Sequence, residues 1–156
     1  MRIQLIAVGQ RMPAWVSAGY DEYAKRLSVD CSLHLTEIPL KSRNRTSDLQ
    51  RSRRHESLAM LAAIPAQSRV IALEVHGHSW STEQLAAQMR DWMHGGRDVA
   101  LLVGGPEGLD TDCLARAEQR WSLSALTLPH PLVRIVVAEQ LYRAWSILHN
   151  HPYHRA

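Results

Sequence analysis

The chain has 156 residues, a length typical of one domain, and we expect residues 1–156 to fold as a single unit. Apolar residues make up 46% of it, which excludes disordered and collagen-like classes. The formal net charge of +3 is local in origin, because residues 41–54 contain six basic residues and one acid. The two cysteines form no C-x-x-C pair, and no apolar run approaches the ~20 residues that a membrane span needs. We therefore expect a cytoplasmic protein without a disulfide framework.

Apolar runs and turn residues predict strands and helices in alternation along the chain. We expect strands at 3–8, 33–38, 70–75 and 99–103, and helices beginning near Pro13, at 48–64, from Ser81, at 110–120 and at 132–149. Ser81 with Gln84 matches the capping-box pattern, and residues 122–128 read as a short strand or loop. The strand–helix unit recurs roughly every thirty residues, which predicts an α/β fold with a mostly parallel sheet and helices on both faces.

A glycine-rich segment follows the most apolar predicted strand. Five of the eight glycines fall between Gly95 and Gly108, and residues 104–108 read GGPEG. In open α/β sheets, ligands bind outside the carboxyl ends of the strands, and glycine lets backbone approach a ligand closely. The segment lacks the Gly-Lys-Ser/Thr of a phosphate loop and the G-x-G-x-x-G of a dinucleotide site. This favours a nucleoside-like ligand, with a plain tight turn as the alternative.

A second backbone-rich segment lies at residues 122–131, which read SLSALTLPHP. Small and apolar side chains with a proline-bounded end could wrap an adenine with backbone N–H and C=O groups. The alternative is an edge strand followed by a loop.

The long helix predicted at 132–149 is apolar on more than one side. One stripe, predicted to pack on the sheet, contains Val133, Val137, Leu141, Ala144 and Leu148. Ile135 and Tyr142 fall on the opposite side. A helix that is apolar nearly all round is buried on two faces, so a second subunit is the natural cover in a chain this short. The alternative is that Ile135 and Tyr142 are simply exposed.

Two polar segments are candidates for contact with RNA. The C-terminal tail combines His149, His151 and His154 with aromatic and basic residues, the types that stack on bases and contact phosphates. A histidine metal site is a weaker reading, since the spacing matches no zinc pattern. The basic stretch 41–54 could contact phosphates, or could be an ordinary solvated surface.

Taken together, these motifs resemble a known family over the whole chain. The segments that carry the resemblance are 6–9, 102–108, 122–134, 139–144 and 150–155. They are similar to the ribosomal large subunit methyltransferase H family, which belongs to the SPOUT class. The similarity is strong over the last sixty residues, which include the tail NHPYHR.

The resemblance implies a fold, a cofactor and a substrate. It implies a parallel α/β sheet with a C-terminal trefoil knot, an exception to the general absence of knots. It implies a homodimer with an active site near the subunit boundary. It implies S-adenosylmethionine-dependent methylation of N3 of a pseudouridine in the helix 69 loop of 23S rRNA, on the assembled 70S ribosome and without a metal. Carried over to this sequence, the cofactor-binding positions are Leu73, Gly104, Leu123, Ser124, Ala125, Leu126, Thr127 and Leu128.

The expected reaction requires N3 to lose its proton, so a base or a nearby cation is needed. The candidates on the substrate side are Tyr153, His154 and Arg155, with Arg134 and Arg143 in reserve. Two competing hypotheses are a non-enzymatic ribosome-binding factor, which predicts no cofactor affinity, and a histidine-metal hydrolase.

Overall fold

A computed structural model of the protein describes residues 1–27, 29–41 and 46–155. The strands are β1 (Arg2–Val8), β2 (Ser32–Ile38), β3 (Arg69–Ser79), β4 (Val99–Val103) and β5 (Gln119–Ser122). The α-helices are α1 (Ala14–Ala24), α2 (Thr46–Ala63), α3 (Thr82–His94), α4 (Thr111–Arg116) and α5 (His130–Leu148). A short 3₁₀ helix, Pro152–Arg155, follows α5.

The strands form one sheet in the order β2-β1-β4-β3-β5, and every neighbouring pair is parallel. This confirms the predicted α/β class. Because all strands point the same way, their carboxyl ends meet at one edge, where the segments after β1, β4 and β5 come together. The predicted trefoil knot concerns how the chain threads around itself, and it stays a prediction.

Alternate residues of each strand point to opposite faces, and each face has its own apolar core. Ile3, Leu5 and Leu101 pack with α1, α3 and α5 on one face. Ile6 and Leu102 pack with α2 and α4 on the other. The sheet is thus covered on both sides, which explains why β4 is apolar at every position.

The long C-terminal helix confirms the predicted sheet-facing stripe but not the predicted second face. Val137, Leu141 and Ala144 are fully buried against the sheet. Tyr142 is also buried within the subunit, since its ring lies 4.6 Å from that of Tyr153. Ile135 packs on α1, where a Cβ added to Gly19 would lie 2.8 Å from the Ile135 Cδ1 atom. The interpretation of Tyr142 as a dimer contact was wrong, because periodicity cannot identify which neighbour covers a face. Ile135 is only partly buried, and its contact with a second subunit stays a prediction.

The tail folds back on the protein because α5 ends in a reversal. Asn150 has a φ of +53°, the left-handed conformation that asparagine tolerates better than most residues. The His151 amide donates to the Ser146 carbonyl at 2.9 Å, and the Asn150 amide donates to that of Ile147. These two bonds form a Schellman motif, which returns residues 152–155 along α5.

Several boundaries differ from those predicted. Helix α5 begins at His130 rather than 132, because prolines at the first positions of a helix remove no needed hydrogen bond. Strand β5 is 119–122, which leaves 123–128 as a loop, and α4 ends at Arg116. The capping box at Ser81 and Gln84 is present as predicted.

In the basic stretch, residues 42–45 lie outside the described residues, and the remainder enters α2. Over the described part of the chain, no helix combines the length and apolar character needed to cross a membrane.

Candidate cofactor and substrate site

A cavity of about 970 Å³ opens at the carboxyl edge of β3, β4 and β5. Seven of the eight predicted cofactor positions line it, namely Leu73, Gly104, Leu123, Ser124, Leu126, Thr127 and Leu128. Ala125 does not line it. The two segments singled out from the sequence, the glycine-rich loop and residues 123–128, therefore form walls of the same cavity.

The glycine-rich loop is held in a tight closed form. Gly105 and Gly108 form an antiparallel bridge, in which the Gly108 amide donates to the Gly105 carbonyl at 2.9 Å. A Cβ added to Gly104 would lie 2.4 Å from the Gly108 carbonyl carbon. Glycine is needed at 104 because the loop's own backbone passes there, which is a more specific reason than close approach by a ligand.

The loop 123–128 is shaped by short side-chain hydrogen bonds. The Ser122 hydroxyl donates to the Ser124 carbonyl at 3.2 Å, and the Leu126 amide donates to the Ser124 hydroxyl at 2.9 Å. Leu126 is 74% exposed, although it lines the cavity. Its side chain therefore contributes little to the packed core.

The cavity wall also contains five ionisable residues, Arg53, Glu74, His76, Glu107 and His130. Sequence reasoning missed Glu74 and His76, and it had assigned Arg53 to a stretch that could contact phosphates. Arg53 belongs to α2, and His130 is the first residue of α5. Glu74 follows Leu73, where the pairing of β3 with β5 becomes irregular. A signal for Glu74 existed, since it is the one charged residue in the otherwise apolar strand predicted at 70–75.

The tail candidates lie elsewhere in the subunit. Within the described residues, Tyr153, His154 and Arg155 do not line the cavity. Tyr153 is packed on α5, where its hydroxyl donates to Glu139 at 2.9 Å and the Arg143 guanidinium lies 4.9 Å from its ring centre. Burial, reinforced by the Glu139 carboxylate, raises the pKa of Tyr153 to about 12. Arg155 is exposed and His154 is partly buried.

The two reserve arginines have structural partners instead. Arg134 is 2% exposed and forms an ion pair with Glu37. Arg143 pairs with Glu139 at 2.6 Å, which raises the pKa of the Arg143 guanidinium. Both are therefore engaged within the fold, and neither reserve role is supported.

The C-terminal histidines do not come together as ligands. His149 stacks on Trp145 and contacts the Asp30 carboxylate at 3.0 Å. Over the residues that the structure describes, no three His, Cys, Asp or Glu side chains are grouped to hold a metal ion.

Comparison with known proteins agrees with the geometry of the site. Residues 1–154 match the family model described as "Predicted SPOUT methyltransferase". The chain is 58% identical over 155 residues to Ribosomal RNA large subunit methyltransferase H of Marinomonas sp., covering 99% of this chain and 100% of that protein. It is 60% identical to the protein of the same name from Thioalkalivibrio sulfidiphilus, with 99% of each chain covered.

Solved structures with little sequence similarity share the fold. A methylase family protein from Haemophilus influenzae superposes with a TM-score of 0.55 at 14% identity, covering 97% of this chain and 68% of that one. A methyltransferase from Legionella pneumophila, solved with bound S-adenosylmethionine, gives 0.51 at 12% identity, with coverages of 93% and 66%. With the full-length relatives, these findings show that the chain belongs to the SPOUT methyltransferases, in the family of ribosomal RNA large subunit methyltransferase H.

Proposed function

We propose that this protein transfers a methyl group from S-adenosylmethionine to N3 of a pseudouridine in the helix 69 loop of 23S rRNA. The observation that carries the proposal is the agreement between the family match and the geometry of the cavity. Relatives named as large subunit rRNA methyltransferases match the chain end to end. Seven of the eight cofactor positions implied by that family line one cavity in this structure.

The cavity fits the cofactor's chemistry. Its walls offer apolar side chains, such as Leu73 and Leu123, for an adenosine, and backbone amides and carbonyls of 123–128 for its polar edge. Bound there, S-adenosylmethionine supplies an activated methyl group. The protein's own contribution is to orient the reactants and to exclude water, so it needs no covalent nucleophile.

On the substrate side, the tail supplies the groups that the reaction needs. N3 must lose its proton, and His154 can accept it directly or through a water. The Arg155 guanidinium can stabilise the negative charge that develops on the pyrimidine ring. Tyr153 anchors the tail to α5 through Glu139, and it thereby holds His154 and Arg155 in place.

The separation of tail and cavity within one subunit supports a homodimer with a composite site. The tail of one subunit would then face the cavity of the other, in agreement with an active site near the subunit boundary. A suitable surface lies at the starts of α1 and α5, where Trp15 and Leu132 are 57% and 38% exposed. The first turn of α5 also contributes His130 and Val133 to the cavity wall. Gly19 of α1 and Arg26, two residues after its end, contact Ile135 and Tyr142 of α5 respectively, so the two helices run parallel. Trp15 and Leu132 each lie about one turn before the first of these contacts.

The biological setting follows from the substrate. We place the protein in the cytoplasm, with the 70S ribosome as its partner and much of the recognition surface supplied by the ribosome itself. The exposed arginines of α2, Arg51 and Arg54, are available for phosphate contacts. The competing hypothesis of a non-enzymatic ribosome-binding factor uses the same basic surface but predicts no methyl transfer.

The test is methyl transfer from labelled S-adenosylmethionine to ribosomes that lack the modification, with mass spectrometry of the digested rRNA. We expect N3-methylpseudouridine in helix 69 from 70S particles and much less from naked 23S rRNA. Incorporation at another nucleotide, or none, would contradict the proposal.

The composite site is tested by mixing two inactive variants. One is Leu126→Arg, which blocks the cavity at an exposed position, and the other is His154→Ala with Arg155→Ala in the tail. In a mixed dimer with composite sites, the altered cavity faces the altered tail, and the intact cavity of the one subunit faces the intact tail of the other. Each mixed dimer then has one intact site, so activity should reappear on mixing. Continued inactivity of verified mixed dimers would show that each subunit uses its own tail.

A further inference from the structure

Two oppositely charged side chains in the cavity wall have buried polar atoms without a partner. The Oε2 atom of Glu74 and the Nε atom of Arg53 are both inaccessible to solvent, and neither makes a hydrogen bond. Both residues line the cavity proposed for the cofactor. A buried polar atom of a charged group is destabilising when it lacks a partner, so a ligand that supplies both partners would relieve this cost at two places.

Glu74 is held at the wall by an irregularity in β3. Trp121 of β5 pairs with both Leu73 and His78, so the residues between them are left out of the ladder. Gly77 closes this bulge against β5, since a Cβ added there would lie 2.7 Å from the Arg120 carbonyl carbon and the Trp121 nitrogen. Bulges commonly redirect a side chain next to a functional site. The bulge therefore lies where Glu74 lines the cavity wall.

Arg53 is anchored from the other side of the cavity. Its Nη2 atom donates a hydrogen bond to the Leu109 carbonyl, directly after the glycine-rich loop. This bond fixes the guanidinium but leaves Nε free. Neither Arg53 nor Glu74 belongs to any ion pair of the described residues, so the two side chains do not neutralise each other.

We propose that Glu74 and Arg53 bind the α-amino-acid end of S-adenosylmethionine, with Glu74 accepting from its ammonium and Arg53 donating to its carboxylate. An ionised carboxylate only accepts hydrogen bonds and a guanidinium only donates them. A zwitterion carrying one ammonium and one carboxylate meets both requirements with charge-assisted bonds. The adenosine moiety is left for the apolar, backbone-rich walls. This assignment rests on the proposed function, and it gives one arginine of the basic stretch a role in cofactor binding rather than RNA binding.

The experiment is calorimetric titration of Glu74→Gln and Arg53→Gln with three ligands. All three ligands contain the adenosine. S-adenosylmethionine adds both the amino-acid end and a positively charged sulfonium, S-adenosylhomocysteine adds the amino-acid end without the sulfonium charge, and methylthioadenosine has neither the amino-acid end nor the sulfonium charge. Each variant should bind the first two roughly ten- to a hundredfold more weakly and methylthioadenosine as tightly as the wild type does. Arg54→Gln is the matched control, because Arg54 is the exposed neighbour of Arg53 on α2, and it should bind all three normally.

The outcomes separate the alternatives. Equal weakening for all three ligands would mean contact with the adenosine or a distorted cavity, and it would overturn the assignment. Weaker binding of S-adenosylmethionine alone would place the mutated side chain beside the sulfonium, and this result would also overturn the assignment. Variants that bind as tightly as the wild type would refute this inference alone, whereas a wild-type protein that binds no S-adenosylmethionine would refute the proposed function.

Discussion

Arg134 on α5 and Glu37 at the end of β2 form an ion pair, with 2.7 Å between Nη1 and Oε2. The second terminal nitrogen of Arg134 donates to the Gly9 carbonyl, also at 2.7 Å. One buried guanidinium thus joins the first turns of α5 to the ends of β1 and β2. This contact helps to fix α5 relative to the edge of the sheet where the cavity opens.

Arg134→Ala should lower the free energy of unfolding by roughly 2–3 kcal/mol, because it removes the ion pair of the buried guanidinium with the partly exposed Glu37 and leaves the Gly9 carbonyl unpaired. Arg134→Lys should recover only part of the loss, since an ammonium cannot reproduce the planar fork. Urea denaturation measures both. Stability of Arg134→Ala within about 0.5 kcal/mol of the wild type, the range of an ordinary surface change, would contradict this role.

Gly104→Ala should lower both the melting temperature and the affinity for S-adenosylmethionine. The added Cβ would overlap the Gly108 backbone at 2.4 Å, so the loop must move away from its position in the cavity wall. Gly96→Ala is the control, since its φ of +67° strains an alanine but nothing lies within 4 Å of the added carbon. It should cost about 1–2 kcal/mol of stability and leave cofactor affinity unchanged. Normal cofactor binding by Gly104→Ala would refute the role of the loop.

Trp15→Glu should convert the proposed dimer to monomers at micromolar concentration, because it places a carboxylate in an apolar contact. Leu58→Glu is the matched control. Leu58 is 55% exposed, close to the 57% of Trp15, but it lies on α2 at the opposite face of the sheet. Light scattering should find the control dimeric. A monomeric wild type, or equal dissociation by Leu58→Glu, would exclude this interface.

Tyr153 should ionise near pH 12, about two units above an ordinary tyrosine. Burial and the Glu139 carboxylate oppose the phenolate, so docking of the tail is fully stabilised below about pH 10 and weakens as the pH rises through the folded pKa. The difference in absorbance at alkaline pH between the wild type and Tyr153→Phe isolates this one group. A midpoint near pH 10 would show that the tail is not docked in solution.

Much of the fold could be predicted because its signals are local. The strands around β4 are continuous apolar runs, and the capping box at Ser81 marks the start of α3. Residues 122–131 were interpreted as a ligand segment because of their small, apolar side chains and proline-bounded end, and the glycine-rich loop because it follows a strand at the carboxyl edge of the sheet. That rule depends only on element order.

The remaining features depend on contacts between residues far apart in the chain. Tyr142 is covered by Tyr153 and not by a second subunit, because Asn150 reverses the chain after α5. Asparagine after a helix is a recognised stop signal, and it could have indicated the reversal. Glu74 and Arg53 line one cavity only because β3 bulges and α2 packs beside the glycine-rich loop, neither of which leaves a pattern in the sequence.

The central claim is that the cavity at the carboxyl edge of the sheet binds S-adenosylmethionine, and titration calorimetry of the wild-type protein tests it most directly. We predict saturable binding that Leu126→Arg abolishes while the protein remains folded. A wild-type protein that binds ribosomes but shows no heat with S-adenosylmethionine would contradict the account and favour the non-enzymatic ribosome-binding factor.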